Sequence, residues 1–168
     1  RDKKAALKKM RLVYENAASV LVLDASLQLY ESRSMNLVEK LARVMTSGWL
    51  RRLWTLQEGA LAQLLYFQFA DVAISLSSLQ AEIKEASNDL RHRLIYGDFL
   101  SAYQELRQFF HSHSMGESGP DLNILSRALL HRGVSEPSDE AICIGTLMSI
   151  PIEKIVEASG IERTKVMW

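Results

Sequence analysis

The stretch SVLVLDASL, residues 19 to 27, restricts the folding of this chain more than any other. Val20 to Leu23 are aliphatic without interruption, and the run stops at Asp24, which leaves no room for helical periodicity. A segment apolar on both faces predicts a buried strand of the kind found in parallel sheets. Before it, residues 2 to 17 place Ala6, Leu7, Met10 and Tyr14 on one helical stripe, with the lysines on the other side. A helix that feeds such a strand predicts an α/β layer. Ligands of parallel sheets sit beyond the carboxyl ends of the strands, where Asp24 falls. Asp24 is therefore either a ligand-positioning group or a residue that turns the chain.

The rest of the chain reads as helix, then a little sheet, then helix. Residues 36 to 46 predict a helix with Leu37, Leu41 and Val44 on one side and Asn36 or Ser34 as cap. Ser47 and Gly48 should end it, and a further helix is expected from about Leu50 to Leu65. LLYFQFADVAISL carries the β-branched and aromatic bias of one or two short strands turning at Ala70 and Asp71. From Ser78 onward helices are expected over SLQAEIKEASNDL, 98 to 111, 121 to 131, 138 to 149 and 152 to 159, with HSMGESGPD as a loop. Ser138 is the expected N-cap of its helix, with Asp139 and Glu140 on the positive end of the dipole. The fold class expected is a helix-rich α/β protein: a partial parallel sheet in residues 1–78 followed by an all-α region in 79–168.

Charge and composition exclude several functions. Twenty basic and 20 acidic side chains cancel, so no global field points to nucleic acid or an anionic membrane. One cysteine, Cys143, rules out an internal disulfide and a Cys-rich zinc site, and its apolar surroundings in AICIG read as core. His111 and His113 stand two apart, on different sides of a helix, so no metal site is expected. There is no Gly-rich phosphate loop, no G-x-S-x-G elbow and no apolar run long enough to span a bilayer. No required cofactor, a soluble cytoplasmic location and a segment of a longer protein are the corresponding expectations.

The stretch RRLWTLQEGALAQL poses the functional question. At about 100° per residue, Leu50, Leu53, Trp54, Leu61, Leu64 and Leu65 share one helical face, and Gln57 falls in its middle. A buried amide needs partners, so Gln57 is expected to anchor backbone groups of a neighbouring loop. Glu58 falls at the edge, one turn from Trp54. Two readings stand: a carboxylate partly desolvated beside an indole and suited to acid, base or charge-stabilising work, or one in an ion pair with Arg51 or a neighbouring arginine.

MRLVYENAASVLVLDASL followed by SGWLRRLWTLQEGALA resembles the heterokaryon-incompatibility (HET) domain of filamentous fungi. Met10, Tyr14, Ala18, Val22, Asp24, Trp49, Arg52, Trp54, Gln57 and Glu58 fit that family's pattern, with only approximate spacing from Ala18 to Asp24. SRALLHRGVSEPSDEAICIGTLMSI is similar to a segment that often follows, and ERTKVMW extends the likeness. The dense motif is residues 49 to 62. The family's earlier L-S-Y-x-W-G and I-D-x-x-C-I-N-Q segments are absent here.

HET domains in turn look like distant relatives of Toll/interleukin-1 receptor (TIR) domains, which are flavodoxin-like, and some of which hydrolyse NAD with a glutamate in W-x-x-x-E. Trp54 to Glu58 reproduces that spacing. The resemblance implies fungal self/non-self recognition and programmed cell death, through protein partners or self-association. Its alternative implication is an NAD glycohydrolase with NAD as substrate. Glu58 would then be catalytic, and Asp24, Arg52, Trp54 and Gln57 would position the ligand.

Overall fold

The computed structural model describes residues 2–86, 125, 126, 129 and 132–167. The helix expected over 98 to 111, the loop after it, most of the helix over 121 to 131 and all four histidines lie outside the described residues; 125, 126 and 129 are helical.

Helix α1 runs Asp2–Asn16. It buries Leu7 fully and Met10 and Tyr14 in part, whereas Ala6 is exposed, contrary to the predicted stripe. The flank is held instead by Arg11, which donates to Thr146 O at 3.0 Å and to Glu15 at 2.7 Å. The chain then forms β1 (Val20–Val22) and, after a turn, α2 (Leu37–Thr46). As the sequence predicts, Asn36 caps α2: its side chain accepts from Glu39 N at 2.9 Å. Leu41 and Val44 are buried.

The single helix expected from Leu50 to Leu65 is two helices, α3 (Gly48–Arg51) and α4 (Trp54–Leu61). Ser47 and Gly48 do not simply stop α2. Ser47 accepts from Leu50 N at 3.4 Å and so starts α3. The break at 52–53 has a distant cause: Gly133 pairs with this segment as a parallel bridge, accepting from Leu53 N and donating to Arg51 O, both at 2.9 Å. Those bonds replace the helical ones. Leu64, expected in the apolar stripe, is exposed, and Leu65 begins a strand.

Strands β2 (Leu65–Gln68) and β3 (Ala73–Ser75) form a hairpin about Ala70 and Asp71, and α5 (Leu76–Ala86) follows directly. The sheet order is β1-β2-β3, with β1 parallel and β3 antiparallel to β2, so the sheet is mixed rather than purely parallel. One face carries Val22, Leu65 and Phe67 into a core shared with Leu41, Val44, Trp49, Leu76 and Leu79. On the other, Leu21 is 49% and Leu23 67% exposed, so the strand expected to be buried on both sides is covered on one among the described residues.

Past a short 3-10 turn at Pro137–Asp139 come α6 (Glu140–Leu147), α7 (Glu153–Glu157) and α8 (Glu162–Met167), the last not foreseen in the sequence. Ser138 does not cap α6: Asp139 holds the N-cap position, without a capping side-chain bond, and its carboxylate instead pairs with Arg163 at 2.8 Å. Helix α6 supplies Cys143 and Leu147 to a core with Leu56, Ala60 and Leu125, and Ile142 to another with Leu7, Ile152 and Ile155. The boundary expected at 78 falls inside α5, which packs on β2 and β3, and α4 and α6 share one core. The described chain is a helix-rich protein with a small three-stranded mixed sheet, compatible with the α/β class. Among its described residues no helix is long and apolar enough to cross a membrane.

Candidate functional site

Residues of the resemblance motif gather around Trp49. Its backbone N–H donates to Asp24 Oδ2 at 2.9 Å, and its indole Nε1 donates to Glu58 Oε2 at 3.1 Å. The ring meets Phe67 edge-on, with centroids 5.7 Å apart, which fixes it against the sheet. The approach of α3 to Asp24 is close: a Cβ at position 48 would stand 3.3 Å from Asp24 Oδ2, so a larger residue would require the carboxylate to shift by a few tenths of an ångström.

Asp24 both turns the chain and faces an opening. Its other oxygen accepts from Ser26 N at 2.9 Å and from the Ser26 hydroxyl. Burial works to raise the pKa of this carboxyl, but the donors Ser26, Trp49 and Leu27 outweigh it and hold the group below its ordinary value. The Asp24 charge is thus spent on backbone and hydroxyl partners at the end of β1.

Glu58 is paired with neutral donors rather than with Arg51. Besides the Trp49 indole, the Tyr14 phenol stands close enough to this carboxylate to feel its charge. Burial first, and the Glu58 charge and hydrogen bond next, push the Tyr14 phenol up to about 12, with the charge of Arg52 acting in the opposite sense. Arg52 is an exposed side chain on a backbone locked from both sides: its carbonyl accepts from Thr55 Oγ1 at 2.7 Å and from Arg132 Nη1 at 3.1 Å.

Gln57 does not anchor a loop. It is 1% exposed, its Nε2 lies against the Met10 sulfur at 2.7 Å, and its Oε1 has no hydrogen-bond partner among the described residues. Trp54 packs between the two cores that α6 feeds, with Leu53, Leu56 and Leu147 on one side and Leu7 and Ile142 on the other. Of the five predicted site residues, Asp24 and Glu58 are joined through Trp49, Arg52 stands near Tyr14, and Trp54 and Gln57 turn into packing.

The opening beside Asp24 is a crevice of about 420 Å³ lined by Asp24, Ser26, Tyr30, Arg43, Gly48 and Arg51, with Ala25 and Thr46. Arg43 stacks over the Tyr30 ring, 3.3 Å from its centroid, and binds Glu39 at 2.8 Å. Tyr30, Arg43 and Arg51 were not singled out as ligand residues from the sequence; the signal for them was their nearness to a strand end that folding alone brings together. A second unforeseen device fixes this wall. Asp71, in the β2-β3 turn, accepts from Ser32 N at 2.8 Å and Arg33 N at 3.1 Å, while Ala70 N donates to Tyr30 O at 3.0 Å. Among the described residues no group of His, Cys, Asp and Glu is placed to hold a metal ion. Cys143 is fully buried, and burial, then the charges of Asp139 and Glu140, push its thiol pKa up, so the thiolate that nucleophilic chemistry needs is disfavoured.

No protein-family model matches the chain, and no curated protein or solved structure does.

Proposed function

We propose that this chain is part of a heterokaryon-incompatibility protein of fungal self/non-self recognition, cytoplasmic and promoting cell death, and that it acts by association with protein partners or with itself. The finer fold proposed with it is a partial TIR-like, flavodoxin-like sheet, for which the parallel β1-β2 pair joined through helices speaks. The resemblance supports the family, and the convergence of Tyr14, Asp24, Trp49 and Glu58 into one bonded network gives its motif a physical meaning.

One observation favours association over NAD hydrolysis: Glu58 accepts from the Trp49 indole at a helix junction with the Tyr14 phenol beside it, and it does not line the crevice beside Asp24. A glutamate that stabilises a ribosyl cation must present an oxygen to the sugar. Glu58 presents Oε2 to the Trp49 indole at 3.1 Å, with the Tyr14 phenol beside the carboxylate. On this reading W-x-x-x-E is a packing motif, with Trp54 filling the core and Glu58 tying α4 to α3 and α1.

The test is Glu58→Gln in the full-length protein, with folding followed by circular dichroism and NAD measured in the same cells. Gln keeps an acceptor for the indole, so killing should persist, with NAD unchanged in wild type and variant alike. NAD loss with wild type, abolished in a folded Glu58→Gln protein, would overturn association in favour of the hydrolase.

A further inference from the structure

The crevice at the end of β1 goes beyond the association reading and does not depend on it. Its volume of about 420 Å³ lies within the range of small-ligand sites. Two stretches of chain build it: the turn after β1, and the end of α2 with α3, which follows it directly. Its position outside the carboxyl end of a strand in a parallel pair is where open α/β sheets take their ligands.

The electrostatics select the kind of ligand. Two guanidinium groups, Arg43 and Arg51, line the crevice beside the Asp24 carboxylate, and Glu39 pairs with Arg43 at 2.8 Å, which leaves Arg51 as the cation without an acidic partner among the described residues. That carboxylate already accepts from Ser26 N, the Ser26 hydroxyl and Trp49 N, so its charge is largely met by protein donors. Arg43 is set in place before any ligand arrives, clamped by Glu39 and stacked on Tyr30, which in turn is tied through its carbonyl to Ala70 N. An arginine ordered beforehand loses little entropy on binding. Arg51 is exposed, and its side chain has no acidic partner among the described residues. The uncommitted Arg51 fork suits the oxygens of a phosphoryl group in bidentate fashion, and Arg43, whose Nε and Nη2 are held by Glu39, adds its Nη1 donors and charge.

We propose that this crevice binds a small phosphate-bearing ligand, with Arg43 and Arg51 as the cations that hold its phosphoryl oxygens. Pyrophosphate and ADP are the probes, with adenosine as the uncharged control, in titration calorimetry on the whole protein. Both phosphates are expected to bind and adenosine not to. Loss of one charge-assisted contact should weaken them about tenfold or more in Arg51→Gln and in Arg43→Gln.

Arg51→Gln removes an exposed side chain and should leave the melting temperature unchanged, so a loss of binding there is a loss of contact. Arg33→Gln, an exposed arginine outside the crevice, should bind as wild type. ADP binding more tightly than pyrophosphate would assign the site to a nucleotide; equal affinities would assign it to the free phosphate group; either result supports it. Failure of both phosphates to bind overturns the proposal. So does unchanged affinity in Arg51→Gln, or equal weakening by Arg33→Gln.

Discussion

Tyr14 is the residue at which the network around Glu58 becomes measurable. Its phenol is raised from an ordinary 10.0 to about 12, by burial first and by the Glu58 carboxylate next. A group whose folded pKa lies above its unfolded one stabilises the fold fully below the unfolded value and loses that contribution as pH rises through the folded one. The window is therefore pH 10 to 12. In a phenolate absorption titration of the native protein, a late-titrating component is expected that vanishes in Tyr14→Phe and moves to lower pH in Glu58→Gln, where the negative charge is gone. If Tyr14→Phe leaves that component in place, Tyr14 is not bonded to Glu58 in solution. The sequence made Glu58 conspicuous because a carboxylate stood beside an indole in an apolar helix. It could not identify the donors, because Trp49 and Tyr14 reach Glu58 only across the α3-α4 break and from a separate helix.

The end of α6 carries a backbone conformation that the sequence did not announce. Ser149 has φ +57°, in the left-handed region where glycine is favoured. The conformation lets Ile150 N reach Gly145 O at 2.9 Å and so closes the helix. Ser149→Gly removes a strain of roughly 1 kcal/mol but also removes the hydroxyl that bonds Arg11 Nη1 at 2.6 Å. Arg11 keeps Thr146 O at 3.0 Å as a partner, so thermal denaturation is expected to show a small gain in stability. A drop in melting temperature would mean that the hydroxyl bond outweighs the strain. The elements whose causes are local were legible: α1, the Asn36 cap of α2, and the β2-β3 hairpin all follow from periodicity or turn chemistry within a few residues. The break between α3 and α4 was not, since its cause is Gly133, some 80 positions downstream.

At the scale of the molecule, α6 and Trp54 of α4 join two of the cores, and the mixed sheet builds the other with α2, Trp49 and α5. The α/β class could be read from one aliphatic run and the helices around it. The cover of β1 on one face only among the described residues could not, because an uninterrupted aliphatic run tells what both faces can bury and not what arrives to bury them. Helix α1 shows the whole-molecule limit most clearly. It rests on α4 and α7, and Lys4 and Lys8 reach Glu157 across 153 and 149 positions of chain. These ion pairs are exposed and of the kind worth little by themselves. Closing so long a loop costs more entropy than the sheet pairings do, so the docking of α1 onto α7 is expected late in folding. Native-state amide exchange should accordingly find α1 opening at lower free energy than β2, whose neighbours pair with it along both edges. Equal protection of the two would place α1 in the same cooperative unit as the sheet. An α1 that leaves first would carry Tyr14 away from Glu58 while the crevice beside Asp24 stays whole, making the first helix a latch whose release separates the two sites.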